Sequence, residues 1–180
     1  MRASQIGWGM VAWGMLAVLG PVASGQNVGA APMGGLTVDQ LVRMSPAALD
    51  QLYMAAGPAP MLSGRVPGRA IVFPGTALAG PASNAARLVW QGKVFRNESS
   101  TAVNRFFGVR SIEGKLYYAE SWKDGRPSLI LDYRETSYLY RRNRDEIRQV
   151  APGIYLGLMY AASQPRPKFK MYFALQVPAS

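Results

Sequence analysis

The chain has 180 residues, of which 49% are apolar, 11% aromatic and 17% charged, and it contains no cysteine and no histidine. That apolar share supports a single folded domain and excludes a wholly disordered chain, while the two absences exclude disulfides, thiolate or imidazole metal sites and every nucleophile system built on His or Cys. Lysine and arginine number 20 against 10 acidic residues, a formal charge of +10, which in an exported chain favours anionic lipid, polysaccharide or small acidic partners over nucleic acid.

Arg2 precedes an apolar stretch from Ile6 to Leu19, after which come Gly20-Pro21 and the small residues Val22-Ala23-Ser24-Gly25. Signal peptidase reads positive, apolar and small-residue regions in that order. Residues 1–25 are therefore expected to be a signal peptide cleaved near Ser24 or Gly25. The apolar run is shorter than the ~20 residues of a spanning helix, so the mature chain is expected to have no integral membrane span. It is expected to be exported, to the periplasm or beyond.

Residues 26–36 are rich in Gly and Ala without periodicity and read as a flexible leader. A helical arm is predicted over residues 37–57. Thr37 and Gln40 form a capping box with Leu36 and Leu41 placed as its hydrophobic staple, and Ser45-Pro46 is a second helix start. Leu49, Leu52, Tyr53 and Ala56 then recur at helical spacing until Gly57-Pro58. Residues 58–85 read as a Gly/Pro-rich loop with one short strand at residues 70–73.

From residue 86 the pattern changes to strands, and residues 86–180 are assigned to a β-barrel. Residues 87–96 place Leu88, Trp90, Gly92 and Val94 on one face and Arg87, Val89, Gln91 and Lys93 on the other. Further strands are predicted at residues 101–111, 115–122, 127–133, 137–142, 145–150 and 154–161. Asp124-Gly125 marks a hairpin and Pro152-Gly153 another turn. In the last strand Phe169, Met171, Phe173, Leu175 and Val177 alternate with Lys168, Lys170, Tyr172, Ala174 and Gln176. About eight short strands without long helices between them predict a mainly β fold, an antiparallel meander that hides its edges by closing into a small barrel. A curved half-barrel or sandwich is the alternative.

Four segments carry a resemblance: Trp90-Gln91-Gly92-Lys93-Val94-Phe95; Asp124-Gly125-Arg126-Pro127 with Leu131-Asp132-Tyr133; Arg144-Asp145-Glu146-Ile147-Arg148; and Pro152-Gly153-Ile154-Tyr155-Leu156-Gly157-Leu158-Met159-Tyr160. They resemble a group of uncharacterised secreted bacterial proteins and, more distantly, the calycin-like β-barrels of the GXWXG-motif type. The likeness covers about the last hundred residues. Gly64-Arg65-Val66-Pro67-Gly68 has glycine spacing like that motif's but lacks its tryptophan. The resemblance implies a small barrel with an apolar interior and transfers no catalytic residues.

Candidate site residues are charges where the pattern expects burial, together with large aromatics. Arg105 shares a predicted face with Val103, Phe107 and Val109, so it must snorkel or find a carboxylate. Asp132 is solvated if the leucine face of its strand points inward and a ligand contact if one end of the interior is polar. Arg148, on a face with Arg144 and Glu146, is placed to reach Glu146, Asp132 or Glu120 as a bidentate brace, or to hold a ligand carboxylate. Asp145 and Glu146 point to opposite faces, which suits them poorly to paired acid/base work. Trp90, Trp122, Tyr133 and Tyr155 supply apolar area with polar tips and serve either a core or a cavity wall. The ligand-binding set is thus Trp90, Arg105, Trp122, Asp132, Tyr133, Arg148 and Tyr155, with no catalytic residue, metal or cofactor assigned.

The leading functional reading is an exported, lipocalin-like, non-catalytic barrel that binds a hydrophobic or amphipathic small molecule, with the helical arm over one mouth. An envelope-associated protein that binds anionic surfaces and an enzyme independent of His and Cys are the alternatives.

Overall fold

The structure, a computed structural model, describes residues 35–177. The expected signal peptide, its cleavage site and residues 26–34 of the expected leader lie outside the described residues.

Helix α1 (Val38–Arg43) begins where the capping box requires: the Thr37 hydroxyl accepts from the Gln40 amide at 3.2 Å, and the Gln40 side chain accepts from the Thr37 amide at 2.7 Å. Helix α2 (Pro46–Ala55) starts at Ser45, whose hydroxyl accepts from the Ala48 amide at 3.2 Å. Both supply partners for N–H groups that a helix start leaves open.

The strands are β1 (Gly57–Pro58), β2 (Gly64–Ile71), β3 (Trp90–Arg96), β4 (Thr101–Phe106), β5 (Val109–Glu120), β6 (Pro127–Asp132), β7 (Asn143–Ala151), β8 (Ile154–Ala161) and β9 (Lys168–Gln176). From β2 to β9 each strand pairs antiparallel with its successor, and β9 returns to β2 with Gly68 opposite Leu175. Eight strands therefore close into an up-and-down barrel with no free edge. The two-residue β1 extends the neighbour line of β7, with Pro58 opposite Arg148.

Three expectations are corrected. Residues 58–85, expected to be mainly loop, contain the barrel strand β2 and a helix α3 (Ala79–Ala86). β2 escapes a hydrophobic-pattern reading because its inward residues include Gly68 and Ala70, and a Cβ at Gly68 would stand 2.6 Å from the Trp90 ring that crosses it. Residues 137–142, expected as a strand, form a turn-rich loop in which the Tyr133 carbonyl accepts from the Thr136 and Ser137 amides. The helical arm forms, but it lies against the outside of the barrel. On β8, Ile154, Leu156, Leu158 and Tyr160 face out while Tyr155 and Met159 face in, so an apolar outer wall needs cover. Leu41 and Val42 of α1, Leu49 and Tyr53 of α2 and Ala79 of α3 supply it, all buried. Burial of that wall follows from its sequence, since apolar area left in water costs roughly 25 cal/mol per Å².

The barrel has two unlike ends. Residues 59–63, 97–100, 121–126 and 152–153 lie at the lower end; residues 72–89, 107–108, 133–142 and 162–167 connect the strands at the upper end.

Candidate ligand cavity

Below mid-height the barrel is packed by Val66, Phe95, Ala102, Leu116, Leu129 and Ile147. Above them the interior is hollow. A cavity of about 260 Å³ is walled by Trp90, Phe106, Tyr140, Met159, Met171 and Phe173 and floored by Lys93, Asn104, Tyr133 and Asp145. The floor residues are buried, whereas Trp90, Phe106, Tyr140, Met159 and Met171 are half-buried, so the cavity opens toward the upper end.

A backbone irregularity positions the floor. The β3–β4 register shifts between Trp90 and Lys93, so both side chains face inward although they are three residues apart. Gly92 makes the shift feasible: its φ is +109, and a Cβ there would lie 2.3 Å from the Val66 carbonyl oxygen. Lys93, expected on the face opposite Trp90, consequently joins it inside and is 2% exposed. Asn104 lies opposite Lys93 on β4, Asp145 lies between Leu131 and Met159 in the β6–β7–β8 register, and Tyr133 follows β6.

The Lys93 ammonium donates to Asn104 Oδ1 at 2.7 Å, the Tyr133 hydroxyl at 3.0 Å and Asp145 Oδ2 at 2.7 Å. All three of its N–H bonds are thereby used. The Tyr133 hydroxyl accepts again from Asn104 Nδ2 at 2.8 Å and donates to Asp145 Oδ2 at 2.6 Å, and Trp90 Nε1 donates to Asn104 Oδ1 at 3.0 Å. The ammonium also stands 5.1 Å from the Phe173 ring centre and 5.5 Å from that of Trp90, within range of cation–π attraction. Burial lowers the Lys93 pKa against the opposing pull of Asp145, and burial together with Asp145 holds the Tyr133 phenol well above its ordinary value.

One acceptor is left over. Both protein donors to Asp145 use Oδ2; among the described residues none donates to Oδ1, and that atom is not sealed inside protein. The floor therefore presents a spare carboxylate oxygen to the cavity.

Of the sequence-predicted site residues, the structure brings only Trp90 and Tyr133 to the cavity. Tyr155 faces inward but belongs to the packed lower core. Asp132 faces outward, as the inward leucine face requires, and accepts from the Tyr117 hydroxyl at 2.9 Å. Trp122 lies on the outer side against Tyr160, with the Arg144 guanidinium 4.5 Å from its ring centre. Arg105 finds no carboxylate; it faces outward and donates to the Gly108 carbonyl at 3.1 Å.

Arg148 is a brace, though with a different partner from those expected. It is 0% exposed, donates from two nitrogens to the two oxygens of Asp124 at 2.7 and 2.8 Å, and spends its other donors on Ser128 and the carbonyls of Pro127, Tyr53 and Arg126. The Asp124 carboxyl is held below its ordinary pKa by that hydrogen bonding. Arg148 thus has nothing left for a ligand carboxylate.

Sequence reading missed Lys93, Asn104 and Asp145. Gly92 in mid-strand was the available signal, because an interior glycine marks a bulge or a close backbone approach. A recess of about 300 Å³ outside the barrel is lined by the Arg69–Asp39 pair and Arg87 and has no comparable apolar wall.

No protein-family model and no curated protein matches this chain. A solved structure described as a protein from Thermomonospora curvata is similar over 76% of this chain and 90% of its own, with a TM-score of 0.50 and 22% identity. That likeness concerns the barrel fold. No helix among the described residues is long and apolar enough to cross a membrane.

Proposed function

We propose that the protein is a non-catalytic carrier or sensor of a small, largely apolar, uncharged molecule that offers an N–H or O–H donor to Asp145. One observation carries this reading: an aromatic cavity whose polar floor is internally complete except for a single acceptor, Asp145 Oδ1. A cavity of about 260 Å³ is slightly smaller than the usual range for ligand pockets, roughly 300–1,000 Å³, which suits a single ring or a short chain better than a long acyl tail.

The charge of the floor narrows the class. Lys93 and Asp145 neutralise each other, and the ammonium has no free N–H to offer, so a carboxylate ligand would be desolvated without a new partner. A cationic ligand would meet aromatic faces that already carry the Lys93 charge. A neutral donor gains a charge-assisted hydrogen bond instead. With its three N–H bonds engaged, Lys93 presents no lone pair as a nucleophile, which supports binding over catalysis.

The test is calorimetric titration with p-cresol, toluene and benzoate, three ligands of similar size, read alongside Trp90 fluorescence. The expected order is p-cresol tightest, toluene roughly 10- to 100-fold weaker and benzoate undetectable, consistent with a charge-assisted hydrogen bond worth ~1.5–3 kcal/mol. Failure of all three to bind, together with a native mass spectrum free of any co-purifying small molecule, would overturn the proposal.

A further inference from the structure

The basic residues look dispersed in sequence, but the fold gathers many of them around the open end. Arg110, Arg141, Arg142, Arg166, Lys168 and Lys170 are all exposed on or beside the upper connections, where the acidic residues are Asp132 and Glu135, with Glu113 beside the 133–142 loop and Asp39 beside Arg87. Glu135 is paired with Lys115 and Asp132 accepts from Tyr117. The lower connections and their flanking residues are closer to balance, with Arg65, Arg96, Lys123 and Arg126 against Glu98, Glu120 and Asp124.

The same rim carries large apolar side chains in water. Leu139 is 85% exposed, Tyr138 81%, Leu88 75% and Phe107 72%, with Val109 beside them. Leu88 and Phe107 belong to adjoining connections, since the Phe107 amide donates to the Val89 carbonyl at 2.9 Å. At the lower end the exposed large apolar side chains among the described residues are Met61, Val177 and Tyr118, each less exposed than these and Tyr118 tied by its hydroxyl to the Ala59 carbonyl. Apolar tips set in a basic ring match the two layers of an anionic bilayer surface: the tips reach the acyl boundary while the cations meet the head groups. A purely polar polyanion would engage the arginines and leave the tips in water.

We infer that the upper rim docks on an anionic lipid bilayer, with the cavity mouth facing the membrane. Docking in that orientation gives an apolar ligand a short path between lipid and cavity. The surface stands independently of what occupies the cavity.

The experiment uses the chain from Gln26 onward, which keeps every described element and the compact unit they form. Co-sedimentation with phosphatidylcholine vesicles is compared with vesicles containing 30% phosphatidylglycerol, at low salt and at 0.5 M salt. Binding is expected only to the anionic vesicles, weakened by salt and not abolished by it. L139S/F107S and R141E/R142E are each expected to lower the partition coefficient at least tenfold, whereas R65E/R126E, which changes equal charge on exposed residues at the lower end, is expected to change it less than threefold. Circular dichroism confirms that each variant is folded, and Leu139→Trp reports insertion by a blue shift in emission. No vesicle binding, equal loss in R65E/R126E, or binding to soluble polygalacturonate in place of vesicles would overturn the inference.

Discussion

The two ends of this barrel each bury a cation with a carboxylate, and they use the pair differently. At the lower end Arg148 and Asp124 form a closed set: every guanidinium donor has a partner, three of them backbone carbonyls, and Tyr53 covers the group with its ring 4.4 Å from the guanidinium carbon. At the upper end Lys93 and Asp145 are nearly closed, with one carboxylate oxygen left facing empty space. A buried ion pair by itself does not mark a site. What distinguishes a site is a polar complement that the protein leaves unfinished beside a void.

The comparison can be broken most forcefully at the lower end. Arg148→Met leaves Asp124 and three carbonyls without their donor, and should cost about 3–5 kcal/mol, the range for removing one partner of a buried pair. Adding Asp124→Ala should recover little, because the carbonyls of Pro127, Tyr53 and Arg126 stay unpaired. At the upper end, Lys93→Met/Asp145→Leu removes both charges and should lie within about 2 kcal/mol of wild type while abolishing the p-cresol preference. Urea denaturation of the four proteins checks this; equal losses from the two double variants would erase the distinction between brace and floor.

A smaller effect separates the ends by pH. Burial raises the Tyr53 phenol to about 12, and it raises Tyr133 and Tyr160 as well. A raised folded pKa favours the protonated phenol, so this stability is fully present below pH ~10 and is lost as pH climbs toward the folded values. Lys93, whose folded pKa is lowered, works the other way, gaining stability as pH rises toward its unfolded value. The Lys93→Met/Asp145→Leu variant should therefore lose stability more steeply than wild type above pH 9, a difference that thermal unfolding between pH 8 and 11 would register. Parallel curves would show that Lys93 does not contribute.

The smallest change is expected at Asp132. Asn can still accept from the Tyr117 hydroxyl, so Asp132→Asn should shift stability by less than about 0.5 kcal/mol and leave p-cresol affinity unchanged. A lost affinity would return this residue to the site.

How much could be read in advance follows from the kind of signal each region carries. The caps at Thr37 and Ser45 are local, with donor and acceptor three residues apart, and both form as expected. The strands β6 and β9 announce themselves because their inward residues are large and apolar, and β8 because its outward residues are. β2 does not, since Gly68 is small there to let the Trp90 ring cross. The faces of β7 were correctly separated, Asp145 in and Glu146 out, because nothing interrupts its alternation before Gln149. On β3 the same alternation separates Lys93 from Trp90, whereas the shift at Gly92 inverts it on one side and brings both inside.

Local signals in the chain suffice for the strand-dominated architecture and for the starts of α1 and α2, because period and capping act over a few residues, whereas the seating of those helices on an outer wall depends on the closed barrel. Which charges meet was decided only in three dimensions. Arg148 reaches a carboxylate in the β5–β6 turn, Lys93 reaches one on β7, and arginines scattered along the chain assemble into one rim, because closing a meander brings residues dozens of positions apart within hydrogen-bonding distance.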